Sequence, residues 1–316
     1  MGQPRRILLT GSSGLLGCAL WQALEAAGQI VIPLQRHRAT PVTHPAPRTP
    51  SPLPAASWDV ASGRMDLAAA GQLDAVIHLA GETIAQRWTK RAKRRILESR
   101  VQGTRLLSDT LAALPKPPAT LAVASAIGIY GDGGAAWLDE ASPPGRGFLA
   151  DVTRQWEEAA APAGARGIRV VHLRLGIVLA SQGGALGKML TPFRCGLGGT
   201  LGGGRQYWSW ISIMDAVRGF QWVLETEGCR GSINLVAPNP VTNAEFTKVL
   251  GGVLRRPTLL RMPAWVVEWL FGQMGREAML SSARVKPSRL VEAGFVFRQA
   301  ELEPALREVL AGGGKE

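Results

Sequence analysis

The chain has 316 residues, 46% of them hydrophobic, which suits a globular protein with an ample core and excludes a disordered one. No apolar run reaches membrane-spanning length, since "PAWVVEWLF" is broken by Glu268, so no membrane partner is expected. The net charge of +12 raises nucleic acid as a partner, but half of that excess lies in 87–100, where seven basic residues meet one acid in the pattern of a solvated helix face.

Nucleic acid is therefore set aside. Three widely spaced cysteines (Cys18, Cys195, Cys229) and four scattered histidines match no disulfide framework or metal site. A reducing compartment follows, and the start of the chain enters a strand by Arg5 with no signal-like or transit-like segment. A cytoplasmic protein is expected, a monomer or homodimer acting on an unknown small molecule.

The first predicted strand, "RILLT" (6–10), runs directly into "GSSGLLG" and a helix over 15–27. Gly11, Gly14 and Gly17 there permit a sharp turn and close approach of backbone to a pyrophosphate, while the helix start supplies N–H groups and a positive dipole end. Thr10, Ser12, Ser13, Leu15 and Leu16 belong to the same turn. The next strand, "IVIPL" (30–34), ends in "LQRHR". A site for NAD(H) usually places an acid here; Arg36, with Arg38 as a second candidate, instead suits the 2′-phosphate of NADP(H). Segment 37–57 carries six prolines and is expected as an extended surface loop.

A strand over 74–80, "DAVIHLA", brings Leu79, Ala80 and Gly81 to a sheet edge where small residues leave room for a cofactor. Glu82 follows, either for acid–base work or as a cap for the helix predicted over 87–114. Alternate steps of four and three along that helix give Ile96, Arg100, Gly103, Leu107, Thr110 and Leu114 as the stripe facing the sheet, with Lys93 extending it backward. A charge on that stripe is costly unless used, so Arg100 is either an internal ion pair or an anchor for an anionic group. Arg91, Arg94 and Arg95 lie off the stripe and are expected in solvent.

The strand "TLAVAS" (120–125) ends at Ser125, whose hydroxyl suits holding a substrate carbonyl or hydroxyl beside a nicotinamide. Tyr130, just after it, is either a phenolic donor or packing for the loop base. A helix over 148–163 and a strand "IRVVHLR" (168–174) follow. Continuous apolar strands alternating with helices imply an α/β protein with a Rossmann-like doubly wound parallel sheet and a smaller C-terminal lobe. The expected division is a cofactor domain over 1–175, also receiving about 213–236, and a mostly substrate-side lobe over 176–316. The later part carries a glycine-rich loop (196–204), a helix (213–226), a strand (231–236) and a helical tail. Trp208, Trp210, Trp265 and Trp269 in it suit either core packing or a partly hydrophobic substrate.

Taken together, "TGSSGLLG", "HLAG", "SAIGIYG", Asp139–Glu140 and "GGGRQYWSWISIMD" (202–215) resemble the extended short-chain dehydrogenase/reductase superfamily, in its epimerase/dehydratase branch. Leu79–Glu82, Ile84, Arg87–Trp88, Lys93, Ile96, Ser99–Arg100 and Thr104 narrow the resemblance to an atypical subgroup. "GFL…WE" (147–157), "APNPVTNAEF" (237–246) and a C-terminal uncharacterised domain from about 257, ending "RVKPSRLVEAGFVF" (284–297), agree with it.

The resemblance implies an NADP(H)-dependent oxidoreductase or epimerase-like enzyme, with Ser125 as the catalytic serine. Asp59, Val60 and Val178 join Arg100 and Ser125 among the expected cofactor contacts. The superfamily's tyrosine and lysine, four residues apart, have no counterpart. The two tyrosines, Tyr130 and Tyr207, are followed at that spacing by Gly134 and Ile211, and no lysine occurs between Lys116 and Lys188. Leu149 falls near the tyrosine's place and Thr153 at the lysine's. Trp208 replaces the arginine of nucleotide-sugar epimerases, and Ser212 stands where the subgroup has histidine. A proton donor would then be Glu82, Tyr130, Asp151 or water, and the alternative is a non-catalytic NADP(H)-binding sensor or interaction protein.

Overall fold

The computed structural model describes residues 3–36 and 56–312. Arg38 and the proline-rich stretch up to residue 55 lie outside the described residues. Ala56 and Ser57, expected in that loop, instead start a strand.

Eight strands form the main sheet: β1 (Arg6–Thr10), β2 (Ile30–Arg36), β3 (Ala56–Asp59), β4 (Arg64–Asp66), β5 (Ala75–His78), β6 (Thr120–Ala126), β7 (Arg169–Leu175) and β8 (Gly231–Leu235). Their order is β8-β7-β6-β5-β1-β2-β3-β4, parallel throughout except for the β3–β4 pair at one edge. The chain winds outward from β1 in one direction and from β5 in the other. The carboxyl ends of β1 and β5 therefore flank the crevice where such sheets place ligands.

Helices cover both faces. On one, α1 (Leu15–Ala26) lies against helix Ile213–Glu225; on the other, α2 (Lys90–Ala113) lies against α3 (Phe148–Glu158). The sheet-facing stripe of α2 matches the periodicity at Ile96, Gly103 and Leu107, all buried. Its start is Lys90 rather than residue 87, because the Thr89 hydroxyl accepts from the Ala92 amide and caps it.

The single helix expected over 148–163 is interrupted after Glu158, and a short helix resumes at Ala161–Ala165. Pro162 has no N–H to continue the ladder. The Ser108 hydroxyl serves the break, donating to the Ala160 carbonyl at 3.1 Å and accepting from the Ala163 amide at 2.8 Å.

A second core gathers Leu186, Leu190, Trp208, Trp210, Phe246 and Leu306 from the later chain. Within the expected glycine loop a strand, Gly199–Leu201, pairs in parallel with Leu260–Met262. The C-terminal region is pinned to the sheet through Glu140, which accepts from the Asn234 amide at 3.0 Å and the Arg289 amide at 3.3 Å. Arg284 lies between the rings of Trp137 and Tyr207, at 4.0 and 4.5 Å. Ser212 caps helix Ile213–Glu225 by accepting from the Asp215 amide.

Candidate active site

At the crevice, the Thr10 hydroxyl accepts from the amides of Leu79 and Ala80, both at 3.1 Å, and meets His78 Nδ1 at 2.7 Å. With its lone pairs occupied by two amides, the hydroxyl gives its proton to Nδ1, so the imidazole carries its own proton on Nε2. That nitrogen donates to Thr104 Oγ1 at 2.9 Å, which also accepts from Trp156 Nε1 at 3.0 Å. Full burial lowers the His78 pKa to about 4 and keeps the ring neutral. This chain of bonds ties β1, β5, α2 and α3 together directly beneath the crevice.

Gly11 turns the chain away from β1 with φ +66°, and a Cβ there would lie 2.9 Å from the Leu79 carbonyl carbon. A Cβ at Gly17 would lie 2.1 Å from the Gly11 oxygen, so both positions admit glycine alone. Gly14 precedes α1 without any side-chain cap, leaving the first amides of the helix free to meet an anion. Ser12, Ser13, Leu15 and Leu16 line this turn, and Val178 stands near it: an ideal Cβ on Gly184 would be 3.2 Å from Leu15 and 3.7 Å from the Val178 carbonyl. Arg36 is exposed at the end of β2, in register one residue from Asp59 across β3. Val60 packs with Trp58 against Gly103 of α2.

Arg100 reaches from α2 to this edge. Its guanidinium donates to the carbonyls of Glu82 at 2.8 Å and Ile96 at 3.2 Å, lies over the Trp156 ring at 5.0 Å, and would touch a Cβ on Gly81. Burial lowers its pKa to about 10 while the charge of Glu82 opposes the shift. Among the described residues Arg100 makes no internal ion pair, the alternative that its place on the stripe offered. Glu82 is half-buried, 3.6 Å from Arg95, and the helix is capped by Thr89 instead of Glu82.

Ser125 and Tyr130 lie together, but in a buried network. The Ser125 hydroxyl donates to Glu157 Oε1 at 2.6 Å, and Arg174 holds both oxygens of Glu157 at 2.8 Å. Ser232 donates to the same carboxylate at 3.1 Å. The Tyr130 hydroxyl donates to Asn234 Oδ1 at 2.7 Å and accepts from Arg174 at 3.0 Å. Burial pushes the Tyr130 phenol up, against the pull of Arg174. Burial also raises Glu157, but the hydrogen bonds and charge of Arg174, the His172 ring and the Ser125 hydroxyl together outweigh it and hold the carboxyl below its ordinary value. The signal for this pair was the second arginine of the strand run "RVVHLRL".

A second acid went unread in the sequence. Glu277, in the π-helical turn Gly275–Leu280, accepts from the Leu149 amide at 3.0 Å at the start of α3 and from Gln273 at 2.6 Å. A Cβ on Gly147 would lie 3.0 Å from its carboxyl carbon. Asp151 is exposed in the first turn of α3, and Thr153 is buried, donating to the Leu149 carbonyl at 2.8 Å. Among the described residues no cluster of acids, cysteines and histidines could hold a metal.

The strand order, the glycine turn and the switch-point crevice define a dinucleotide-type α/β protein. Residues 7–235 match the model of the NAD dependent epimerase/dehydratase family, and residues 262–309 match a domain of unknown function, DUF1731. The chain belongs to that epimerase/dehydratase family. It is 40% identical over 301 residues to epimerase family protein Mb2239 of Mycobacterium bovis, covering 95% of this chain and 96% of the relative. It is 36% identical over 312 residues to human epimerase family protein SDR39U1, covering 97% and 100%. A crystal structure of that human protein (isoform 2) with NADPH superposes with TM-score 0.84 at 34% identity, covering 97% of this chain and 99% of the other.

Proposed function

We propose that the chain binds NADP(H) at the β1–α1 turn and uses it in oxidoreductase or epimerase-like chemistry on a small molecule. The observation that carries this reading is the cradle at Gly11 and Gly17, which a Cβ would fill, facing an uncapped helix start. Its donor set fits the group: amides for a diphosphate and the exposed Arg36 for a 2′-phosphate. The human relative crystallised with NADPH supports the choice of cofactor. Residues 1–175 with about 213–236 form the cofactor side and 176–316 otherwise the substrate side. When bound, NADP(H) would supply hydride transfer to or from a substrate carbon.

In this reading Thr10 and His78 set the spacing of the β1 and β5 ends. Arg100 holds the Gly81–Glu82 edge and offers its charge there. Ser125 keeps the end of β6 in place through Glu157. Proton supply falls to Glu82, half-exposed beside Gly81, to the exposed Asp151 or to water, because the Tyr130 hydroxyl is spent on Asn234 and Arg174.

That internal use of both hydroxyls favours a second reading, a non-catalytic NADP(H)-binding protein. NADPH titration followed by fluorescence, then absorbance of the reduced nicotinamide with a panel of carbonyl compounds, separates the two. Turnover that persists in Ser125→Ala removes that serine from the chemistry, and failure to bind NADPH overturns both readings.

A further inference from the structure

The segment from Arg255 to Leu270 presents an apolar surface that nothing in the described fold covers. Helix Ala264–Phe271 turns Val267 into the protein, while Trp265 and Trp269, one turn apart, are 71% and 72% exposed. Leu259 is 91% exposed and Leu260 51%, just ahead of the helix, and Leu270 is 43% exposed beside Trp269. Such values describe side chains that project into solvent as knobs. A rigid protein partner would need matching pockets for them, whereas a fluid lipid interface accepts them without shape complementarity.

Charge specifies the lipid. Arg255, Arg256 and Arg261 are all exposed in the same short stretch, and Glu268, its single acid, is matched to Arg276 at 2.9 Å. Two copies of this face packed together would bring like charges into contact. Tryptophan and leucine flanked by arginine is the composition that lies in the headgroup layer of an anionic bilayer.

We propose that this face docks the protein peripherally on an anionic membrane surface, inserting Trp265, Trp269 and Leu259 while Arg255, Arg256 and Arg261 meet lipid phosphates. The inference is independent of the cofactor reading and revises the expectation that no membrane is a partner. It involves no spanning segment, and no helix among the described residues is long and apolar enough to cross a bilayer.

The test is cosedimentation of the full chain with vesicles of phosphatidylcholine alone or mixed with phosphatidylglycerol, at low and high salt. Binding to the mixed vesicles is expected, with release by salt. Arg255→Glu/Arg256→Glu/Arg261→Glu should weaken it by about a hundredfold or more, each arginine being worth several-fold near such a surface. Trp265→Ser/Trp269→Ser should abolish insertion, with the thermal midpoint unchanged as the check on folding. Should that pair unfold the protein, Trp265→Phe/Trp269→Phe replaces it. Those variants should still sediment but lose the quenching of tryptophan fluorescence by brominated lipid. Absence of sedimentation overturns the proposal. So does sedimentation that is unchanged in the serine pair, since that is general adhesion of a chain with net charge +12. A dimer that the serine pair dissolves, with no vesicle binding, also overturns it and gives the face to a second copy.

Discussion

Glu157 on α3 and Arg174 on β7 share two hydrogen bonds of 2.8 Å, and the side chains are only 13% and 9% exposed. The pair joins the helix that follows Gly147 to the strand beside β6, and the hydroxyls of Ser125, Ser232 and Tyr130 all attach to it. Removing one partner strands a buried charge. Glu157→Gln or Arg174→Met should therefore each cost about 3–5 kcal/mol in denaturant unfolding, and a Glu157→Gln/Arg174→Met double variant should cost less than the two together.

His78 gives the protein an acid-sensitive core. Burial lowers its pKa from 6.5 to about 4, so the unfolded chain takes up a proton before the folded one does. Stability is fully present above pH 6.5 and is lost as pH falls toward 4, by roughly 3 kcal/mol across that window. Burial lowers His172 as well, adding loss below pH 6.5. Thermal midpoints measured between pH 7.5 and 4 should fall accordingly, and His78→Gln should flatten the curve while lowering it at neutral pH.

Cofactor choice should follow Arg36. Arg36→Glu is expected to weaken NADPH binding by about ten- to a hundredfold, the worth of one charge-assisted hydrogen bond, with little change for NADH. Equal affinity of the unaltered protein for both cofactors would remove the role.

The contact of Glu277 with the start of α3 is a cap supplied from a distant segment. Gly147 cannot cap that helix itself, so Glu277→Ala should destabilise by about 1 kcal/mol, in the range of a lost N-cap. Gly147→Ala should cost more, because it adds a Cβ at φ +113° against the same carboxylate. Urea unfolding of the two variants checks the order.

Much of this architecture was legible in the chain itself. Alternation of apolar strands and helices determined the parallel sheet, and strand–glycine–helix spacing determined the turn at Gly11–Gly17, because both are local consequences of backbone geometry. The stripe on α2 singled out Arg100 for the same reason. The tertiary structure alone decided where partners lie that are remote in sequence. It paired Glu157 with Arg174, brought Glu277 to Leu149, and enclosed Ser125 and Tyr130 in a network that composition and period cannot encode. It also separated four tryptophans into two buried and two exposed, since burial depends on which elements cover a face rather than on the residue that forms it.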